Sequence, residues 1–166
     1  TKVVDDEGNE LATGERGELW IRGPQVMQGY WQQEAETAAA LTSDGWFKSG
    51  DYVEISEDGY ISIVDRKKDM ILVSGFNVFP NEVEDWVNHH PDVLESAAVG
   101  VPSEKTGESI KLFIVPRNKQ IDIESVRAHC KEGLTAYKMP REIVLIDEIP
   151  KSIIGKILHR ELRDNA

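Results

Sequence analysis

Hydrophobic and polar residues alternate through the first part of the chain, in short runs separated by turns that contain glycine. Residues 17–23 alternate between two glycines, as a half-buried strand does. Two further alternating runs flank the segment 57–59, Glu-Asp-Gly, which predicts a β-hairpin. The alanine-rich stretch 33–41, with acidic residues at its start, predicts a short helix between the two strand regions.

Beyond residue 69 the pattern mixes helical and strand periodicity. Pro80 suits the first turn of a helix whose apolar positions 83, 86, 87 and 90 recur at helical spacing, and Pro91 ends it. The pattern also predicts strands at 70–73, 97–101, 110–115 and 143–146, a loop at 74–77, a helix that begins at Asp122 or Glu124, and helical turns at 155–162. We therefore expect an α+β fold: a β-rich first part, then a small domain with a short, mostly antiparallel sheet covered by helices.

Charge divides the chain in the same place. Of the 166 residues, the first 65 carry four basic and fourteen acidic side chains, whereas residues 66–166 carry fifteen basic and sixteen acidic ones. We expect two units, 1–66 and 67–166, with different surfaces. The overall net charge of −11 argues against a general affinity for nucleic acid, because phosphate backbones require a basic face.

Several kinds of site are excluded by spacing. Gly155-Lys156 lacks the glycine and the hydroxyl residue that a phosphate-binding P-loop needs, because Pro150 and Ile157 occupy those positions. No spacing of cysteine and histidine suits a metal, so we predict no metal ligands in this chain. The lone Cys130 is expected to fill the core, and with no leader-like start it favours a reducing, cytoplasmic location.

Three segments remain as candidates for chemistry. Asp51 follows a glycine, where a bound group could approach the backbone, although Gly-Asp alone is also an ordinary turn. The run 66–68, Arg-Lys-Lys, suits either a solvated linker or cations facing a nucleotide. Lys156 follows Gly155 and an apolar pair, where a mobile ammonium could meet a carboxylate or a phosphate, or belong to a plain basic tail.

Taken together, these segments resemble the C-terminal portion of the adenylate-forming superfamily of acyl-CoA synthetases, luciferases and adenylation domains. Within it the chain is most similar to bacterial long-chain-fatty-acid–CoA ligases. The likeness covers the whole chain and rests on DGWFKSGDYVEISEDGYISIVDRKKDMILVSGFNVFPNEVED (44–85), on PKSIIGKILHREL (150–162) and on GPQVMQGYW (23–31). One departure is His159, which stands where relatives often carry an arginine.

The resemblance implies a role for particular positions. Asp51 and Arg66 match residues that contact the ribose of ATP, and Lys68 matches the hinge between a large and a small domain. Ser74 and Gly75 match the loop that lines the pantetheine channel for coenzyme A. Lys156 matches the catalytic lysine of the adenylation step.

The resemblance also implies an ATP-dependent, AMP-forming ligase that uses a fatty acid, ATP with Mg²⁺, and coenzyme A. We expect residues 1–66 to be the last strip of the large domain and 67–166 the small one, with the phosphate loop, the acyl tunnel and most Mg²⁺ contacts upstream, so that the piece alone is inactive. Two alternatives stay open: a non-catalytic binding module, or a ligase for another carboxylic acid. Peripheral contact with the inner membrane is also compatible with a fatty-acid enzyme, and the oligomeric state is not predicted.

Overall fold

A computed structural model describes residues 1–118 and 121–164 of the chain. The chain divides into two compact units, Thr1–Lys68 and Asp69–Ala166. The division follows Lys68, two residues beyond the boundary expected from charge. A single 3₁₀ turn covers Lys67–Asp69 at this point.

The first unit is a four-stranded antiparallel sheet with strands in sequence order. Its core contains Val3, Leu19 and Val53, which side-chain alternation places on one face of the sheet. The elements are β1 (Lys2–Val4), β2 (Arg16–Ile21), α1 (Glu34–Ala40), β3 (Phe47–Ile55) and β4 (Ile61–Arg66). The predicted hairpin and the short helix are both present, so local alternation and turn chemistry suffice to define them.

The second unit is built on a five-stranded sheet in the order β6-β5-β8-β7, with β9 also pairing β8. All pairings are antiparallel except that of β9 with β8. The strands are β5 (Ile71–Val73), β6 (Phe76–Val78), β7 (Val93–Ser103), β8 (Gly107–Pro116) and β9 (Glu142–Leu145). The helices are α2 (Pro80–Asn88), α3 (Ile123–Gly133) and α4 (His159–Asp164). The expected mostly antiparallel α+β fold is confirmed.

Both faces of this sheet are buried, and the strand sequences show why. Ile110, Leu112 and Ile114 of β8 face a core shared with α2 and α3, whereas Phe113 and Val115 face the opposite side. That opposite side is covered by the chain after β9, through Ile149 and through Leu162 of α4. Fully burying side chains of this kind stabilises a fold by about 1.5–3 kcal/mol each. The segment that contains Lys156 is therefore attached to a second core, beyond the two covering helices predicted from the sequence.

Candidate functional site

Asp51 and Arg66 form an ion pair across the hairpin of the first unit. They lie directly opposite each other in β3 and β4, and Arg66 Nε is 2.9 Å from Asp51 Oδ1. About 27% of the Asp51 side chain remains exposed. No hydrogen bond to its second oxygen, Oδ2, is found within the part of the chain that the structure describes. A carboxylate beside a guanidinium group is thus exposed to solvent at one point of the sheet.

A register shift in the hairpin creates this pair. From the turn, Ile55 faces Ile61 and Val53 faces Ile63, but the next pair is Tyr52 with Asp65 because the register skips one residue of β4. Without the skip, Asp51 would face Asp65, and directly opposed like charges destabilise a sheet. The bulge therefore replaces a repulsive pair of carboxylates by the pair of Asp51 with Arg66.

A neighbouring ionic cluster in the same unit was not predicted. Lys67 Nζ lies 2.9 Å from Asp6 Oδ1 and 3.1 Å from Glu18 Oε2. Burial lowers the pKa of Lys67, but its hydrogen bonds to Asp6 and Glu18 outweigh burial and raise the pKa overall. The hydrogen bond from Lys67 likewise holds the pKa of Asp6 below its ordinary value, against the effect of burial. Lys67 is thus engaged in ion pairs within its own unit.

Glu18 connects this cluster to Asp51. Its side chain is 9% exposed. Glu18 Oε2 contacts Lys67, and Oε1 accepts a hydrogen bond of 3.2 Å from the Gly50 N–H. Gly50 has a φ of +72°, which glycine adopts without strain, and it directly precedes Asp51. A cavity of about 920 Å³ is lined by Glu18, Gly50 and Lys67, among other residues of this unit. No sequence signal marks Glu18, because its partner Lys67 lies 49 positions away.

Lys68, the predicted hinge, is exposed and lies in the middle of the 3₁₀ turn Lys67–Asp69. It is the last residue of the first unit. In the described part of the chain it forms no ion pair. A hinge role for Lys68 remains a prediction.

Ser74 and Gly75 form a tight hairpin turn in the second unit. Their φ angles are +52° and +84°, the combination that a two-residue type I′ turn requires. The expected loop at 74–77 is wrong in its second half, because Phe76 and Asn77 belong to β6 and pair with Val73 and Leu72. The structure places Ser74 beside a cavity of about 360 Å³, also lined by Tyr137 and Arg141.

Lys156 also lies in a hairpin turn, so the helical turns predicted at 155–162 are wrong in their first half. Gly155 has a φ of +79°, and its N–H donates to Ser152 O at 2.8 Å. The Lys156 N–H donates to Ser152 Oγ at 3.1 Å, and the Lys156 carbonyl accepts from the Ser152 N–H at 2.8 Å. Helix α4 begins only at His159. The left-handed conformation of Gly155 explains the late start, since it cannot continue into a right-handed helix.

Among the described residues, this turn occurs three times with a hydroxyl residue at its first position. Thr42 and Ser56 open the other two copies, and in each copy the hydroxyl residue precedes a left-handed glycine by three positions. In each, the hydroxyl oxygen accepts the N–H of the residue after that glycine, at 2.9 Å for Thr42 and 3.2 Å for Ser56. The spacing Ser/Thr-x-x-Gly is thus a local signal that predicts the turn at Lys156.

The Lys156 side chain is exposed, and among the described residues it forms no ion pair. Within the described residues, no carboxylate lies within ion-pair distance of its ammonium. The structure therefore brings Asp51 and Arg66 together in the first unit and holds Lys156 and the Ser74–Gly75 turn in the second. No hydrogen bond or ion pair joins those two turns in the described ranges.

The buried side chains of the second unit include a cysteine and a histidine. Cys130 is fully buried in the core, and burial raises the pKa of its thiol. His90 is also buried, two residues beyond the end of α2. None of the helices among the described residues is long and apolar enough to span a membrane.

Comparison with known proteins identifies the family. The model for the C-terminal domain of AMP-binding enzymes matches residues 82–156, and the model for AMP-binding enzymes matches residues 1–31. A long-chain-fatty-acid–CoA ligase of Yersinia pestis is 54% identical over 163 residues, covering 98% of this chain. The chain belongs to the adenylate-forming superfamily. It spans 29% of the length of that superfamily member.

Solved structures of the superfamily agree with the fold. The ATP-bound MatB of Rhodopseudomonas palustris is 34% identical and superposes with a TM-score of 0.93, over 99% of this chain and 33% of MatB. The apo structure of the same MatB superposes with a TM-score of only 0.65 over the same shares of the two chains. The two structures of MatB therefore differ from each other within the matched region.

Proposed function

We propose that this chain serves as the C-terminal part of an ATP-dependent, AMP-forming long-chain fatty acyl-CoA ligase. In the first step an oxygen of the fatty-acid carboxylate bonds to the α-phosphorus of ATP and pyrophosphate leaves. In the second step the sulfur of coenzyme A bonds to the acyl carbon and AMP leaves. The observation that carries the proposal is the 54% identity over 163 residues to the long-chain-fatty-acid–CoA ligase of Yersinia pestis.

The pair of Asp51 and Arg66 supports a ribose site in the first unit. A carboxylate can accept hydrogen bonds from two adjacent ribose hydroxyls, as the acid of dinucleotide-binding folds does. Asp51 is partly exposed, with Arg66 bound to Oδ1 and Gly50 preceding it. We assign both charged residues to the ribose of ATP and of the acyl adenylate.

The uncommitted ammonium of Lys156 supports a catalytic role in the first step. A carboxylate and a triphosphate repel each other, so their approach requires a cation between them. A lysine that already formed an ion pair in its own unit would have to break that pair first. Lys156 forms none among the described residues, and its backbone is fixed by the Ser152 turn.

The position of Lys68 supports a role as a hinge. It is the last residue of the first unit and lies in the middle of the single 3₁₀ turn Lys67–Asp69. We therefore propose that the chain turns at Lys68 between the two steps. One arrangement uses Lys156 for adenylation, and the other uses the Ser74–Gly75 turn to guide coenzyme A to the acyl adenylate.

ATP reaches such enzymes with Mg²⁺. The described residues contain no group of three His, Cys, Asp or Glu side chains that could bind a metal ion. Since Mg²⁺ usually binds through one or two carboxylates together with the phosphates of its nucleotide, the described residues supply no dedicated protein cage for the ion.

The test is a chimera in which this chain replaces the matched segment of the Yersinia pestis ligase. We expect the chimera to convert palmitate, ATP and coenzyme A to palmitoyl-CoA, AMP and pyrophosphate, and the isolated chain to form none. A folded chimera that forms no palmitoyl-CoA, while the Yersinia enzyme does, would overturn the proposal. Product from the isolated chain would contradict the need for a further domain.

Lys156→Ala in the chimera separates the two steps. Losing one charge-stabilising donor costs about 10²–10³ in rate, so pyrophosphate release should fall by that factor. Formation of palmitoyl-CoA from supplied palmitoyl adenylate should persist, because the second step does not use Lys156. The control is Lys131→Ala, a lysine on α3 of the same unit, which should affect neither step. Equal loss of both steps in Lys156→Ala would refute the assignment.

A further inference from the structure

The buried carboxylate of Glu84 joins elements that cover opposite faces of the second unit's sheet. Glu84 lies on α2, which together with α3 covers one face of the sheet, and Glu84 is 5% exposed. Its Oε1 is 2.9 Å from Nε2 of His159, the first residue of α4, on the other face. The bond spans 75 positions of sequence.

The same oxygen also closes the edge of the sheet. Strand β7 ends the strand order β6-β5-β8-β7, and Glu84 Oε1 accepts the Ala98 N–H of that strand at 2.8 Å. Since Oε1 is the acceptor of the Ala98 N–H, we assign Nε2 of His159 as the donor of the second bond, with the ring hydrogen on Nε2. One acceptor thus ties α2, the edge strand and α4 together.

A second tie holds the other end of the same segment. Lys151 Nζ lies 2.6 Å and 2.7 Å from the two carboxylate oxygens of Glu95 on β7. Between the ties, the Leu158 N–H donates to Pro150 O at 2.9 Å, which closes the turn. Lys156 is thus on a closed loop with an anchor at each end, Lys151 before it and His159 three residues after it.

We propose that Glu84 and His159 are positioning residues that fix the backbone of Lys156 for adenylation. The proposal rests on the function proposed above, because it assumes that Lys156 acts in that step. Helix α4 has only six residues, too few for an isolated helix to be stable, so its first turn depends on tertiary ties. Without the bond to Glu84, the arm that follows Lys156 would lose an anchor close to the turn, and α4 would be held further along by the buried Leu162 and by the ion pair of Arg163 with Asp69.

The first experiment measures the mobility of the turn in the 166-residue chain. A nitroxide is attached at Ile153→Cys, because Ile153 is fully exposed at the tip of the turn, whereas Cys130 is buried and its thiol has a raised pKa. We expect His159→Ala to narrow the nitroxide spectrum. Arg160→Ala is the matched control, since Arg160 is the next residue of α4 and, among the described residues, its ion pair is an exposed one with Asp164.

His159→Gln tests whether the hydrogen bond is what matters. The glutamine amide can donate to Glu84 from a position close to that of histidine Nε2. We expect this variant to restore the broad spectrum of the unsubstituted turn. A spectrum that is equally narrow in the glutamine and alanine variants, or unchanged in both, would overturn the positioning role.

The second experiment uses the chimera with the Yersinia pestis ligase. Misplacing a catalytic group by about 1 Å can cost up to about 10²-fold in rate, so His159→Ala should lower kcat for pyrophosphate release by about 10- to 100-fold. The KM for ATP and the rate of thioester formation from palmitoyl adenylate should stay unchanged, and His159→Gln should recover most of kcat. Equal loss in both steps would indicate general destabilisation and refute the proposal.

The two experiments separate failure of this inference from failure of the proposed function. An unsubstituted chimera that makes no palmitoyl-CoA would remove the proposed function, and with it the catalytic part of this inference. An active chimera whose kcat is unaffected by His159→Ala would refute the positioning role and leave the proposed function intact. The nitroxide spectra report the tie itself, without any need for turnover.

Discussion

The turn that presents Lys156 depends on Gly155, and Gly155→Ala tests how much. The φ of Gly155 is +79°, and no atom outside its chain neighbours lies within 4 Å of the position that a Cβ would take. The substitution therefore meets no steric obstacle and changes only the backbone preference. A left-handed conformation costs an alanine about 1–2 kcal/mol relative to a right-handed one.

A second effect opposes this cost. Replacing glycine by alanine reduces the freedom of the unfolded chain, which stabilises a compatible fold by about 0.4–1 kcal/mol. The difference is a net destabilisation of the turn of about 1 kcal/mol. Since about 1.4 kcal/mol corresponds to a factor of ten, the open form of the turn should become about fivefold more populated.

Amide hydrogen exchange measures this change at the turn itself. The N–H groups of Gly155, Lys156 and Leu158 donate to Ser152 O, Ser152 Oγ and Pro150 O, so all three should exchange about fivefold faster. Gly155→Asn is the control, because asparagine tolerates the left-handed region and should exchange close to the unsubstituted rate. Unchanged exchange in Gly155→Ala, or equal acceleration in both variants, would refute the reasoning.

Three further predictions concern stability, each measured by urea unfolding. Because the pKa of Asp6 is lowered in the fold, its bond with Lys67 stabilises the fold above about pH 4 and is lost as the pH falls through the pKa of folded Asp6. Because the pKa of Lys67 is raised, the bond persists up to about pH 10. The loss in free energy of unfolding caused by Lys67→Met should therefore become smaller only below about pH 4 and above about pH 10. Glu18→Ala should cost about 1–3 kcal/mol and Glu18→Gln less, since the amide oxygen can still accept the Gly50 N–H; equal costs would contradict that bond. Gly133→Ala should cost about 1–3 kcal/mol, because its Cβ would lie 2.1 Å from a ring carbon of Trp86, and an unchanged unfolding midpoint would contradict that contact.

The sequence predicts local turns where a glycine stands at the turn position. The helical start predicted at residue 155 is wrong because it overlooks such a turn. The hairpin at 57–59 followed from alternation around a glycine turn and is confirmed. The turn at Gly155 has the same Ser-x-x-Gly spacing, but the residues after it were assigned to a helix. One glycine conformation decides that case, and the matching spacing after Thr42 and Ser56 makes it predictable.

The sequence does not predict side-chain contacts between residues that are far apart along the chain. Glu18 and Lys67 are in contact because β2 lies beside β3. Glu84 and His159 are in contact because their helices cover opposite faces of the sheet beside its edge strand β7. Nothing in the neighbouring residues marks these partners, since each contact depends on the completed fold. The resemblance indicated Asp51 and Arg66 as functional, but not the skipped residue in β4 that brings them together.

The lysines of the chain show why the catalytic assignment favours Lys156 over Lys67. Lys67 is held by two carboxylates, and its raised pKa means that leaving them would forfeit that stabilisation. Within the part of the chain that the structure describes, Lys156 has no such bond to break, so its charge can meet an anion without first losing a partner, while the Ser152 turn fixes its backbone. An exposed, unpaired side chain contributes little to stability, so Lys156→Ala should leave unfolding within about 0.5 kcal/mol of the unsubstituted chain. A larger loss in free energy of unfolding would show that Lys156 has a structural partner. Another cationic residue would then have to serve the adenylation step.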